Sequence, residues 1–482
     1  MALLPDCRGG AVADSLKFGT SGLRGLAVDL VGAPSARYAR AFLDYLSGQG
    51  ALPPGAPVMV GRDLRASSPE IARSVIDAIG AAGFSAVDCG ELSTPALALY
   101  AQQQGAPAIM VTGSHIPADR NGLKFYVADG EITKADELGI GGALRPDAPA
   151  PAPGAIARPA PEAAAGYLDR YRAAFAPTAL AGLRIGVFQH SSVARDMLTE
   201  LLAALGAEVV ALGRADHFVS IDTEALSAAD AAQARAWVEG HRLDALVSTD
   251  GDADRPLVAD ETGSFIRGDM LGILTAQFLK ADAVVTPVTS NSSIEGLGSF
   301  TAVVRTKVGS PFVIDGMAEA RRNGATTVVG FEANGGVLLG SDARIGGRLL
   351  AALPTRDAFL PILAALVGAR AKGLTLSQLV ASLPPRVARS DRLEHVPQER
   401  TAALLGQLAE PAYAARYFAP VGTVDSVSML DGLRFVLASG DVVHYRASGN
   451  APELRCYTEA SSAERAEALL AFGLRAAEAV VR

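Results

Sequence analysis

Asp250, Asp252 and Asp254 stand at alternating positions in DGDADR (250 to 255), and no other segment points as plainly to chemistry. In extended backbone, side chains at every second position share one side. Three carboxylates held that close repel one another unless a cation lies among them, and hard oxygen donors favour Mg²⁺ or Ca²⁺. An EF-hand loop is the obvious competitor, with Glu261 at its twelfth position. Its sixth position, however, is Arg255 instead of the turn-making Gly, Pro256 follows, and the segment leaves an apolar run of strand character. A solvated acidic turn is the bland alternative.

A second segment, VTGSHIPADRNGLKFY (111 to 126), presents the hydroxyl of Ser114 with His115 and Lys124 nearby. Gly113 lets backbone approach a ligand closely, and Pro117 restricts Ile116 to extended conformations. A hydrolase nucleophile elbow would need Gly at 112 and 116, where Thr112 and Ile116 stand. Taken alone, Ser114 reads as a plain loop hydroxyl. FGTSGLRG (18 to 25) is a Gly-rich turn with one cation, Arg24. RASGNAPELRCY (446 to 457) combines Arg446, Ser448, Gly449, Asn450 and Arg455. It can offer backbone N–H groups, a hydroxyl and two guanidiniums to a phosphate, or be an ordinary surface turn.

The surrounding elements must bring these segments together. SSPEIARSVIDAIGAAG (67 to 83) reads as an amphipathic helix with a Ser68 cap, Pro69 in its first turn and Gly83 as terminator, between the apolar runs PVMVG and SAVDCG. The same alternation recurs at LRIGVFQHS with RDMLTELLAALG, and at ADAVVTPV and TTVVGF. Alternating strands and helices imply mostly parallel sheets covered on both faces, hence an α/β fold. Several strands run directly into polar, glycine-containing segments: AIMV into TGSH, ALVS into TDGDADR, VVGF into EANGG, VVHY into RASGN. Ligands of open α/β sheets bind beyond the carboxyl ends of strands, so the four segments are expected to converge on one cleft.

At 482 residues the chain exceeds one ordinary core. The Pro/Ala-rich stretch at 145 to 166 reads as an extended connector, and softer boundaries fall near 275 and 385. The expected units are 1–150, 166–275 and 276–385, all α/β, and a smaller α+β unit, 386–482. No fixed-period repeat is evident. Hydrophobic residues make up 49% and charged residues 20%, the balance of a globular protein. A net charge of −8 without local basic runs argues against nucleic-acid binding. No signal-like segment or membrane-length apolar stretch is present, which points to a cytoplasmic protein with no membrane partner. Cys7, Cys89 and Cys456 are too few and scattered for a disulfide framework or a zinc site.

Taken together and in order, the segments resemble the α-D-phosphohexomutase superfamily, the phosphomannomutase/phosphoglucomutase enzymes. FGTSGLRG is similar to the family's N-terminal signature, TGSHIPADRNGLK to its phosphoserine loop, DGDADR to its metal loop, FEANGG to its sugar loop and RASGNAPELR to its phosphate loop. The resemblance implies four domains around a central cleft, with three α/β domains of mixed sheets and a smaller α+β domain. It implies that Ser114 carries a phosphoryl group and, with Asp250, Asp252 and Asp254, holds Mg²⁺. Lys124, Arg24 and His115 would lie at the reacting hydroxyl. Glu332, Asn334 and Arg255 would bind the sugar phosphate, and Arg446, Ser448, Gly449, Asn450 and Arg455 the phosphate not being transferred. A hexose 1,6-bisphosphate activator and a monomer or homodimer are also implied.

Departures from the common pattern are Gly113 and Ile116 in the serine loop, Asn334, Gly335 and Gly336 in the sugar loop, and Ala451 in the phosphate loop. They leave the serine, the aspartates and the arginines in place but bear on the choice of sugar. Phosphoglucosamine mutase is the alternative within the family, though Ser21 stands where its motif has Asp. A phosphatase using the same serine and metal, or a non-catalytic sugar-phosphate sensor, are the alternatives outside it.

Overall fold

The structure is a computed structural model and describes residues 15–19, 22–448 and 452–482. The α/β expectation holds, with mixed sheets in the first three units and an antiparallel sheet with helices in the last.

In the first unit the strands run in the order Lys17–Gly19, Gly22–Leu26, Arg120–Val127, Ala108–Val111, Pro57–Arg62, Ser85–Glu91, Arg158–Pro159. Pro57–Arg62 lies parallel to both of its neighbours, whereas Ala108–Val111 and Arg120–Val127 pair antiparallel. Antiparallel pairing follows from the short connection across 112–119, because parallel neighbours need a crossover of a dozen or more residues. That connection carries Ser114. The Pro/Ala stretch is only partly a connector. Arg158–Pro159 joins the sheet beside Ser85–Glu91, and Gly154 N and Ala155 N both donate to Asp77 Oδ1 at 3.0 Å. Proline is tolerated there because the strand is at an edge.

The helix Ser68–Ala81 packs Ile71, Val75 and Ile79 against the sheet as its periodicity requires. Its cap position is Ser67, not Ser68. Ser68 is the first helical residue and donates its hydroxyl to Asp63 Oδ1 at 2.5 Å, and no side-chain cap bond forms at this terminus. On the opposite face, the helix Thr94–Gln104 is buried along its first eight residues, Thr94 to Ala101. It is apolar all round because the second and third units close over it.

The second unit holds a four-stranded sheet in which Arg184–His190 lies between the parallel neighbours Glu208–Arg214 and Ala245–Thr249. The third has a five-stranded sheet with Ala283–Pro287 between Ala302–Thr306 and Val328–Phe331. One apolar cluster runs through the first three units, from Met59 through Tyr167 and Leu271 to Leu383. The last unit has its own cluster, from Leu393 to Val481, under the sheet that contains Val442–Ala447 and Leu454–Ala460. Polar contacts join it to the third unit: Ser292 N donates to Glu459 Oε2 at 3.0 Å, Val308 N to Asp431 Oδ2 at 2.9 Å and Asn291 Nδ2 to Arg386 O at 3.0 Å.

Candidate active site

Three of the four strand-to-loop segments converge. The strand Ala108–Val111 ends in a turn that sets Ser114 at a φ of 54°, a left-handed conformation that costs energy for a side chain with a Cβ. Ser114 Oγ donates to Asp250 Oδ2 at 2.6 Å and lies 3.2 Å from His115 Nδ1. Asp250 follows the strand Ala245–Thr249 in the second unit. The three aspartates meet for a different reason from the one expected. Residues 250–255 form a turn, with Ala253 left-handed at a φ of 59° and Asp250 N donating to Arg255 O, so the convergence comes from a folded loop and not from extended alternation.

One carboxylate oxygen from each aspartate lies within 4.8 Å of the others. Lys124 Nζ bonds Asp252 Oδ2 and Asp254 Oδ2, both at 2.6 Å. Thr94 Oγ1 donates to Asp252 Oδ2 at 2.5 Å, and Arg356 Nη2 to Asp254 Oδ2 at 2.8 Å. The second oxygens, Asp252 Oδ1 and Asp254 Oδ1, are buried without a hydrogen-bond partner. Buried acceptors are nearly always satisfied, so two orphans beside a third carboxylate fit a hard divalent cation.

Burial and the Asp252 and Asp254 charges hold Asp250 well above the usual carboxylate range. Burial also pushes Asp254 upward, but Arg356, Lys124 and Arg255 outweigh it and keep its carboxyl well below that range. Lys124 is likewise pulled down by burial and pulled up further by Asp252 and Asp254, which keeps it an ammonium. To accept a proton it must first be released by those two carboxylates, whose Oδ2 oxygens it holds. Burial, then the Arg255 and Arg24 charges, lower His115 to about 2, so its imidazole is neutral. Arg24 faces the same cluster and is lowered to about 10 by burial and by Arg255 and Arg356. Arg255 Nη1 lies 3.7 Å from Glu224 Oε2.

Glu332 follows the strand Val328–Phe331 and accepts from Arg356 Nη1 at 2.9 Å. Asn334 is buried beside it, 3.5 Å from Glu332 Oε2. Arg356 thereby ties the sugar-type loop to the aspartate loop. It also accounts for a departure noted in the sequence, because a Cβ at Gly336 would stand 2.7 Å from Arg356 Cδ and 2.8 Å from Asp254 O.

Among the described residues of the fourth segment, the two arginines pair elsewhere. Arg446 Nε pairs with Asp431 Oδ2 at 2.9 Å and Arg455 Nη2 with Glu453 Oε2 at 3.4 Å, both within the last unit. Ser448 is buried, while Gly449, Asn450 and Ala451 lie outside the described residues, as do Ser21 and Cys7. Residues missed by sequence reading are Asp63, Arg65, Thr94, Glu224 and Arg356. A signal existed for the first two: PVMV runs into GRDLR just as the other apolar strands run into their loops.

Among the described residues no helix is long and apolar enough to cross a membrane. Comparison with known proteins gives a consistent result. The sequence matches family models for phosphoglucomutase/phosphomannomutase alpha/beta/alpha domain I at residues 15–145, domain II at 165–263, domain III at 267–387 and the C-terminal domain at 391–473. It is 52% identical over 464 residues to a phosphomannomutase of Sinorhizobium fredii, covering 95% of this chain and 98% of that one. It is 44% identical over 460 residues to a phosphomannomutase of Salmonella muenchen, covering 94% and 93%. Among solved structures, a phosphoglucomutase/phosphomannomutase family protein from Burkholderia thailandensis shares the fold at a TM-score of 0.75 and 23% identity, over 96% of this chain and 97% of that chain. An Aspergillus fumigatus N-acetylphosphoglucosamine mutase, solved with GlcNAc-6P and magnesium, aligns at a TM-score of 0.54 and 16% identity, over 96% and 95%. With all four domains matched in order around the serine and aspartate loops, the chain belongs to the phosphoglucomutase/phosphomannomutase family.

Proposed function

We propose that the chain is a phosphomannomutase/phosphoglucomutase that moves a phosphoryl group reversibly between C6 and C1 of a hexose phosphate. The observation that carries this reading is Ser114 Oγ, bonded at 2.6 Å to Asp250 beside two buried aspartate oxygens without hydrogen-bond partners. In this reading phosphorylated Ser114 is the donor. Asp250, Asp252 and Asp254 would hold Mg²⁺, which neutralises phosphate charge when bound. Phosphoryl transfer passes through a loose transition state, so positioning and charge dominate. Arg24, Arg255 and Lys124 place cations around the reacting oxygens, and neutral His115, 3.2 Å from Ser114 Oγ, adds no charge there. Lys124 is the candidate to take the proton of the attacking sugar hydroxyl once its carboxylates release it. The first transfer yields a hexose bisphosphate, which turns over in the cleft and returns its other phosphate to Ser114. An added hexose 1,6-bisphosphate activates the enzyme by phosphorylating Ser114.

Arg446 and Arg455, with Ser448, Gly449 and Asn450, grip the phosphate that is not transferred, in both orientations of the sugar. Losing a charge-assisted contact costs about 1.5 to 3 kcal/mol, roughly ten- to a hundredfold in affinity. Replacing Arg446 by Ala therefore raises KM by that factor and lets more bisphosphate escape. Unchanged KM and unchanged bisphosphate release would place the phosphate site elsewhere.

Glu332, fixed by Arg356, reads the hydroxyls at C3 and C4. Mannose and glucose share their configuration at both carbons, whereas galactose inverts C4. A site built to bond a hydroxyl rejects a sugar that leaves its buried partner unpaired. The expected kcat/KM values for mannose 1-phosphate and glucose 1-phosphate agree within about tenfold, near 1.4 kcal/mol, with galactose 1-phosphate far poorer. A coupled assay on all three with a shared bisphosphate activator tests both activity and selectivity. No turnover of any of them to its 6-phosphate, or stoichiometric release of inorganic phosphate, would overturn the proposed function.

A further inference from the structure

Arg65 touches neither the aspartates nor the sugar-type loop, yet its guanidinium is fully committed. It is 1% exposed, just beyond the strand Pro57–Arg62. Nη1 donates to Pro117 O at 2.7 Å and Arg120 O at 3.0 Å, and Nη2 to Ser114 O at 3.0 Å and Ile116 O at 2.6 Å. Nε donates to Asp63 Oδ2 at 3.2 Å. A guanidinium has five N–H donors, and each of the five has its own acceptor here. Three of those acceptors are backbone carbonyls of the loop that carries Ser114, and a fourth, Arg120 O, begins the strand into which that loop leads.

The same residue is thus held from two sides, its carbonyl by Arg65 and its hydroxyl by Asp250. Ser114 needs that grip because its left-handed backbone is one that a non-glycine residue adopts only when its surroundings impose it. Asp63 completes the frame. Its Oδ2 accepts from Thr112 Oγ1 at 2.8 Å and from Gly113 N at 3.3 Å, so the loop's entry is tied to the same ion pair. Gly113 is the second sign of this arrangement. A Cβ there would meet Arg65 Cζ and Nε at 2.6 Å, and the guanidinium cannot swing aside without breaking several bonds. Finally, Phe218 of the second unit lies over the guanidinium face, with Cζ 4.0 Å from the ring centroid. The ring caps a cation whose edges are already spent.

We propose that Arg65, capped by Phe218, is a positioning residue that fixes the angle at which Ser114 presents its oxygen. The glycine at 113 is the space this arginine requires. The proposal rests on Ser114 being the phosphoryl carrier. Misplacing a reacting atom by an ångström costs about a hundredfold in rate while leaving remote binding contacts alone. Arg65→Lys keeps the charge but cannot reach all five acceptors. It is expected to lower kcat by about a hundredfold, with KM for glucose 1-phosphate within about threefold. Single-turnover phosphorylation of dephosphorylated enzyme by glucose 1,6-bisphosphate should slow by the same factor as kcat. Phe218→Leu, which leaves every hydrogen bond in place, should lower kcat by about threefold to fivefold, the scale of a cation–π contact. Gly113→Ala should be strongly impaired, and adding Arg65→Lys to it should lose less than the product of the two single losses.

A merely structural arginine would lower thermal stability without dividing kcat from KM and without slowing the phosphorylation step. Wild-type kcat in Arg65→Lys, or multiplicative losses in the Gly113→Ala double variant, would overturn the proposal. If Arg65→Lys does not fold, unchanged kcat in Phe218→Leu overturns the Phe218-capped arrangement. Absence of phosphate on the Ser114 peptide of the wild-type enzyme would instead overturn the proposed function beneath it.

Discussion

Replacing Ser114 by Ala is expected to abolish turnover, by about 10⁴-fold or more, while hexose phosphate still binds. The substitution removes the proposed phosphoryl carrier and leaves the cations of the site untouched. It also deprives Asp250 of its 2.6 Å donor, so the variant's fold is to be checked by circular dichroism beside the activity. Steady-state rates and calorimetric titration with glucose 6-phosphate separate the two effects. Intact-mass analysis of the wild type should find one phosphate on the peptide containing Ser114, and the variant should lack it. Turnover near the wild-type level in the alanine variant would eliminate the phosphoserine mechanism.

Chelation is the second large effect. EDTA should silence the enzyme and Mg²⁺ restore it, because in the proposed mechanism phosphoserine and sugar phosphate would bring dianions into a site already holding three aspartates. The structure adds a more particular expectation. Lys124 bonds Asp252 and Asp254 directly, and Arg356 bonds Asp254. Cations therefore already offset the carboxylates, and the thermal midpoint should change little on removing the metal. Activity and stability should come apart under EDTA. Full activity in a demonstrably metal-free sample would refute the metal role, and unfolding on chelation would show that the internal cations do not suffice.

Much of this site is visible in the sequence because each loop begins where an apolar strand stops, and that transition is local. The segments of Ser114, the three aspartates and Glu332 all stand at such transitions, while the chemical roles of Ser114 and Glu332 are implied by the family resemblance. What holds them is not local. Arg356 reaches back 102 residues to Asp254, and Thr94 reaches forward 158 to Asp252. No periodicity announces such partners. The aspartates met for a reason the pattern concealed, since alternation suggested extended backbone where a left-handed Ala253 folds the loop. The phosphate-type loop was legible as a segment, yet its arginines pair within their own unit, because loop chemistry does not specify how far one unit stands from another. The glycines were legible as departures but not as consequences. Gly113 and Gly336 each make room for an arginine from a distant strand or turn.

The last unit keeps its apolar residues in a cluster of its own and meets the third unit through hydrogen bonds such as Ser292 to Glu459 and Val308 to Asp431. Swinging such a unit away exposes little hydrocarbon to water. The heat capacity of a protein rises mainly with apolar exposure, so this motion carries almost no calorimetric signature. Its free energy instead depends on how well water and ions replace the broken contacts.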